Sequence, residues 1–206
     1  MNVLMRTFIY YSSKAPTSGN LIKKDDLMSS GRLDIAIHSI IAAFFLSHDI
    51  RRDVSFHLVF DGPSDPTKHL IFRPNFEGQT GEDKIYLNKK DIASIIKKML
   101  YRYREKELTQ VFPGYFIEKK SLISVIKELL SKGETLYILD KKGEDIRSLN
   151  FSENPIFLVG DHEGLPILKK ELKRYKSQIK KVSVGPNTYF ASQTITILNN
   201  ELDRTE

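Results

Sequence analysis

The sequence predicts an α/β protein with a mostly parallel sheet and an elaborated N-terminal half. Three observations carry that reading. Short β-branched and aromatic runs alternate with segments whose apolar residues recur at helical spacing. The second half repeats strand, loop and helix, the pattern of a parallel sheet covered on both faces. The carboxyl ends of three of those strands also lead into polar or glycine-bearing loops, where open parallel sheets bind their ligands.

In chain order, residues 3–11 form an apolar and aromatic first strand, and residues 15–20 (APTSGN) are a loop by their Pro, Gly and Ser content. Leu33, Ile37, Ile40, Ile41, Phe44 and Phe45 line one helical stripe, predicting a helix that ends near His48. Residues 54–60 are a second strand, followed by the turn Asp61-Gly62-Pro63. Residues 66–88 read as short strands divided by Pro74 and by the stretch from Gly78 to Gly81. Residues 91–104 are predicted helical with Asp91 as the cap. Ser121 starts another helix, with Leu122, Val125, Ile126 and Leu129 inward and Gly133 as its stop. Strands are expected at 135–139, 155–159 and 179–184, and helices at 166–175 and 188–202. A single domain over residues 1–206 is expected.

Composition narrows the chemistry. Hydrophobic residues make up 40% and charged residues 28%, which excludes wholesale disorder. The absence of cysteine excludes disulfide scaffolds, thiolate nucleophiles, zinc fingers and iron–sulfur clusters. The longest apolar run, residues 40–46, is far short of the roughly 20 residues that span a bilayer, and no membrane association is expected. The N-terminal MNVLMRTFIYYS has no signal-peptide pattern, so a cytoplasmic location is expected. Lys and Arg number 32 against 26 Asp and Glu, a net charge of +6 that favours a polyanionic partner such as RNA.

The three strand ends are Leu139-Asp140, Val159 followed by GDHEGLP, and Val184 followed by GPNT. Glycine there permits positive φ and close approach of a flat ligand. Each loop alone reads equally well as a tight turn, but three at one edge favour a binding site. The dinucleotide and P-loop fingerprints and the nucleophile elbow are absent. His162 lies between Asp161 and Glu163 without a second histidine at ligand spacing, so no metal is expected.

The segments FLVGDHEGLP (157–166) and KKVSVGPNTYFASQTITILNNELDR (180–204) resemble the C-terminal signature of the SPOUT methyltransferases. Together with SSGRLDIAIHSIIAAFFLSHDIRRDV (29–54) and FDGPSDP (60–66), they resemble more narrowly the archaeal tRNA pseudouridine-54 N1-methyltransferases. The resemblance runs from about residue 5 to 204. It implies a C-terminal trefoil knot over residues 135–204, an exception to the rule that chains do not thread. It implies S-adenosyl-L-methionine bound by the knot loops, and a homodimer in which one subunit completes the other's site. Carried over, the cofactor contacts fall at Leu139, Gly160, Ser183, Val184, Gly185, Pro186, Asn187, Thr188 and Thr194. The family often has Ser-His-Cys where this chain reads Ser192-Gln193-Thr194, so a hydroxyl stands in place of a thiol.

The resembled reaction moves a methyl from a sulfonium to a ring nitrogen. Pseudouridine, joined to its sugar through carbon, keeps an N1–H that uridine lacks. N1 has to be positioned against the methyl and its proton has to leave. Asp34, His48 and Asp61 are the candidate catalytic groups. The structural readings are favoured for two of them, Asp34 as a partner of the helix dipole and of Arg32 and His48 as a C-terminal cation, and Asp61 also reads as a turn residue. Arg51 and Arg52, with Arg32, form the expected RNA-phosphate clamp. Basic runs at 97–106, interleaved with Tyr101 and Tyr103, and at 169–181 read either as solvated faces or as RNA contacts. The expected activity is S-adenosylmethionine-dependent N1-methylation of pseudouridine 54 in the tRNA T-arm. Methylation of ribosomal RNA pseudouridine and a non-catalytic RNA-binding module are the alternatives.

Overall fold

The computed structural model describes residues 5–64, 66–73, 88–168 and 170–204. Its elements are β1 (Arg6–Ser12), α1 (Leu33–Phe44), β2 (Val54–Phe60), β3 (Lys68–Phe72), α2 (Lys89–Tyr101), β4 (Thr109–Phe112), β5 (Tyr115–Lys119), α3 (Leu122–Leu130), β6 (Leu136–Asp145), β7 (Ile156–Gly160), β8 (Ile179–Ser183) and α4 (Ala191–Asp203). The strands form one sheet in the order β4-β5-β3-β2-β1-β7-β6-β8. β2, β1, β7, β6 and β8 run parallel, and β3, β5 and β4 extend them in antiparallel fashion. β1 and β2 are buried along their whole length, as strands covered on both faces must be.

The two faces carry separate cores. Phe8, Tyr10, Phe56, Leu58 and Phe157 pack beneath α1, α2 and α4. Ile9, Tyr11, Val59 and Leu158 face α3 and the segment bearing Leu168 and Leu172. The register aligns Ser12 with Phe60 and Tyr11 with Gly160, so the carboxyl ends of β1, β2 and β7 stand side by side. Leu139 in β6 aligns with Val182 in β8, which brings those two strands to the same edge.

Several elements differ from expectation. α1 stops at Phe44, because Phe45 turns extended and bridges to Ile50, so His48 lies in the bend beyond the helix. α2 begins at Lys89, and its cap is Asn88, whose side chain accepts from the Lys90 amide at 2.8 Å; Asp91 sits in the first turn instead. No α-helix forms at 166–175 among the described residues. Leu168 and Leu172 are buried there, with Tyr175 half-buried, and the clustered cations Lys170, Lys173, Arg174 and Lys176 repel at helical spacing, leaving a 3₁₀ turn over Lys173–Gln178. α4 starts at Ala191, after an extended Phe190, so residues 188–190 are loop. The hairpin of β4 and β5 was not expected; Gly114, at φ 80°, makes its turn. Of the strands expected within 66–88 the structure shows β3. Residues 74–87, with Pro74 and the Gly78–Gly81 stretch, lie outside the described residues, as do residues 3 and 4 of the first expected strand.

A buried arginine ties the chain's ends together. The Arg6 side chain is 1% exposed and pairs with Asp53 at 2.6 Å and Asp203 at 2.8 Å. Asp203 also receives Arg51 at 2.5 Å, while Asn199 donates to the Ala42 carbonyl at 3.0 Å. Burial pushes the Asp203 carboxyl up, but the hydrogen bonds from Arg51 and Arg6 outweigh it and hold it below the usual range. Removing one partner of a buried pair leaves an uncompensated charge, so Arg6→Met should lower the unfolding free energy by about 3 kcal/mol in urea titrations.

On the α3 face a polar chain crosses the antiparallel strands. Arg73 donates to Ser55 Oγ at 2.8 Å, and Ser55 Oγ lies 3.0 Å from His57 Nε2. His57 Nδ1 lies 2.8 Å from His69 Nε2, and His69 Nδ1 lies 2.9 Å from Glu118 Oε1. Burial drives both imidazoles below their ordinary pKa, and in His57 the neighbouring His69 adds to it. The unfolded chain therefore binds protons that the folded one refuses once the pH falls below the ordinary histidine value of 6.5. Stability should be level above that value and fall as the pH drops below 6.5, a slope measurable by urea denaturation at stepped pH.

Candidate active site

At the edge where β1, β2, β6, β7 and β8 end, two adjoining hollows open. The larger, about 640 Å³, is walled by Ile35, Leu139, Leu158 and Val159, by the loop from Gly160 to Leu165, and by residues 188–191, Gln193 and Thr194. Arg32 stands at its side. The smaller, about 160 Å³, is lined by Asp140, Lys141, residues 182–185 and Asn187, and shares Leu139, Thr188, Tyr189 and Thr194 with the first. Apolar walls beside two threonine residues suit a flat heteroaromatic group carrying a polar chain.

Local bonding shapes the loops. After β7, the Asp161 amide donates to the Tyr11 carbonyl at 3.0 Å and Gly164 donates back to the Asp161 carbonyl at 3.0 Å. The Glu163 amide adds a bond to Asp161 Oδ1 at 2.8 Å. This tight return requires Gly160, where a methyl would stand 2.7 Å from the Gly164 carbonyl carbon. After β8, Gly185 adopts φ 140°, and a methyl there would press within 3.2 Å of the Tyr189 hydroxyl. Ser183 Oγ donates to the Gly185 carbonyl at 3.0 Å and fixes that turn.

The entry to α1 is built just as tightly. Gly31 and Arg32 are both left-handed, and a methyl on Gly31 would fall 2.0 Å from the Lys14 carbonyl oxygen. This turn presents Arg32, whose Nε and Nη2 donate to Asp34 at 3.0 and 3.1 Å. Burial pushes the Asp34 carboxyl up, but the Arg32 bonds and charge prevail and hold it below the usual range.

Beside the hollow lie two buried polar atoms that find no partner among the described residues, the Tyr10 hydroxyl and Asp161 Oδ2. Burial first, then the charges of Asp161 and Asp34, keep Tyr10 protonated far above the ordinary phenol range. At the end of β2, Asp61 accepts from the Tyr11 hydroxyl at 3.2 Å and from Thr67. Burial and the Asp61 charge raise Tyr11 to about 12.

Of the expected cofactor contacts, Leu139, Gly160, Ser183, Val184, Gly185, Asn187, Thr188 and Thr194 all line one hollow or both; Pro186 lines neither. Asp34 and Asp61 stand at the same edge, Asp34 behind Arg32. His48, Arg51 and Arg52 do not. α1 runs 12 residues away from this edge, about 18 Å, and delivers them to the opposite one. Arg51 is held there by both oxygens of Asp203, at 2.7 and 2.5 Å. Among the described residues no three His, Asp or Glu side chains cluster as metal ligands, and no helix is long and apolar enough to cross a membrane. Sequence reasoning missed Asp161 and Tyr10. Asp161 belonged to a loop already singled out, whereas an inward tyrosine on a strand looks like ordinary core.

Residues 5–206 match the family described as "Putative SAM-dependent RNA methyltransferase". The chain is 35% identical to the tRNA (pseudouridine(54)-N(1))-methyltransferase of Methanocaldococcus jannaschii, over 97% of each chain. It is 38% identical to the protein of that name from Thermococcus onnurineus, again over 97% of each. Among solved structures it shares its fold with Archaeoglobus fulgidus Nep1 bound to S-adenosylhomocysteine, at a TM-score of 0.59 and 13% identity, covering 97% of this chain and 98% of that one.

Proposed function

The chain belongs to this family of SAM-dependent RNA methyltransferases, and we propose that it transfers a methyl group from S-adenosyl-L-methionine to N1 of pseudouridine 54 in tRNA. The observation that carries the reading is the pair of adjoining hollows built from the loops after β6, β7 and β8. They fit the cofactor: Leu139 and Leu158 offer apolar walls, Thr188 and Thr194 offer hydroxyls, and Gly185 leaves open the space a side chain would fill. When bound, the cofactor supplies an electrophilic methyl group. Residues 135–204 form, in this reading, the trefoil-knotted part of one catalytic domain, the protein is cytoplasmic, and the tRNA is held by its T-arm.

The chain's own residues supply position and charge. Arg32, pinned by Gly31 and aligned by Asp34, faces the substrate at the mouth of the larger hollow. Asp34 is a positioning residue, because both its oxygens are engaged by Arg32. Asp61 is the proton acceptor of this reading, directly or through a water, because its partners are neutral hydroxyls that leave its charge uncompensated. His48, Arg51 and Arg52 reach the proposed reaction pocket only from a second copy of the chain, so their part in RNA binding rests on a homodimer.

The decisive measurement is methyl transfer from labelled S-adenosylmethionine to two synthetic T-arms that differ only in uridine or pseudouridine at position 54. Transfer to the pseudouridine arm alone is expected; transfer to neither, with cofactor bound, would move the substrate to ribosomal RNA. Gly185→Val should abolish cofactor binding in calorimetry while the protein stays folded, since the new side chain meets Tyr189 and strains the turn. Asp61→Asn should lower kcat by at least about a hundredfold and leave cofactor affinity unchanged.

A further inference from the structure

A third concavity, of about 550 Å³, lies apart from the two hollows and is lined by the segment from Tyr101 to Arg104 and the segment from Glu107 to Gln110. The register places it. Ser12 aligns with Phe60, Phe60 with Lys68, Lys68 with Lys119, and the antiparallel β4 starts at Thr109 opposite Ile117. The connection from α2 to β4 therefore stands on the same sheet edge as the reaction pocket. β4 is five strand positions from β7, about 24 Å away.

Its side chains divide into a scaffold and an offered surface. Arg102 donates to the Val111 carbonyl at 3.2 Å and covers the Phe112 ring, and Lys68 lies 4.3 Å over the Tyr103 ring. These groups are committed to the fold. Tyr101 is 59% exposed although its ring edge is seated against Gly19, where a methyl would come within 2.9 Å of it. The Arg104 side chain is 76% exposed and only loosely paired with Glu107 at 3.6 Å. Leu108 is also exposed, and Lys106 holds a left-handed turn beside them. Residues 97–107 carry five cations against two carboxylates.

A braced, exposed aromatic ring beside an exposed guanidinium matches an unstacked nucleobase and its phosphate. We propose that this concavity is a second RNA-binding site. It takes a splayed base of the same substrate RNA by stacking on Tyr101 and a phosphate by contact with Arg104, and so orients the RNA along the edge toward the reaction pocket. The proposal rests on the RNA-methyltransferase reading above.

The test is anisotropy binding of full-length tRNA carrying pseudouridine 54, with single-turnover methyl transfer on the same samples. Tyr101→Ser should weaken RNA binding about tenfold and Tyr101→Phe should restore it, because stacking needs the ring and not the hydroxyl. Arg104→Glu should weaken binding and reduce the salt slope by about one. All three variants should keep wild-type cofactor affinity and wild-type kcat at saturating tRNA. Unchanged RNA affinity in Tyr101→Ser and Arg104→Glu overturns the site, and equal losses in Tyr101→Ser and Tyr101→Phe overturn the stacking. If wild type binds tRNA without methylating it while these variants still bind more weakly, the site stands and the reaction assignment falls. If methylation of subsaturating tRNA is unchanged in every variant, the assignment stands and the site falls.

Discussion

A guanidinium sits in the interior at the first residue of β1, and much of the architecture answers to it. Arg6 needs two carboxylates to compensate its desolvation, and the chain brings them from Asp53 at the entry to β2 and Asp203 at the end of α4. Satisfying one side chain thus fixes three elements together. It also sets the pose of α4, because Asn199, one turn from Asp203, holds the last carbonyls of α1. The opposite end of α4 supplies Ala191, Gln193 and Thr194 to the larger hollow. The wall of the pocket is in this way positioned from the far edge of the sheet, through a helix of 13 residues.

The second constraint is direction. Five parallel strands end on one edge, and their loops gather there without any need for flexible excursions. The antiparallel extension does not break this arrangement. Reversing β3 and β4 sends the loop that precedes each of them to the same edge, so Thr67 reaches Asp61 and the Tyr101–Gln110 region joins the rim. The other edge carries ion pairs, tight bends and a concavity between the ends of α1 and α4, and this is where His48 and Arg51 are found. Glycine marks the places where backbone meets backbone: Gly31 against Lys14 and Gly160 against Gly164 leave no room for a side chain.

What was legible in the sequence follows from these physics. The buried strands announced themselves as unbroken β-branched and aromatic runs, and the strand-end glycines marked the pocket before any coordinate did. What failed were inferences from linear proximity. His48 and Arg51 are close in sequence to Asp34, but a helix carries them to the opposite edge. The helix expected at 166–175 had apolar spacing enough, yet its cations leave it little reason to close. Asn88 capped α2 in place of Asp91 because a cap is defined by where the first turn closes, which no local pattern fixed. The β4–β5 hairpin was readable in principle from Pro113-Gly114 between two β-rich runs, and Tyr10 was not readable at all.

The Arg6–Asp203 contact joins residues 197 positions apart, and the pocket is closed by residues 183–194. During synthesis the ribosome therefore releases β1, β2 and their helices well before the elements that complete either the ion pair or the binding surface. Until then β1 has a buried-type arginine with half its partners and β6 has no neighbour beyond it. Contacts of such sequence separation slow folding and leave strand edges open while they wait. The two hollows are accordingly incomplete in the nascent chain until nearly its last helix has emerged.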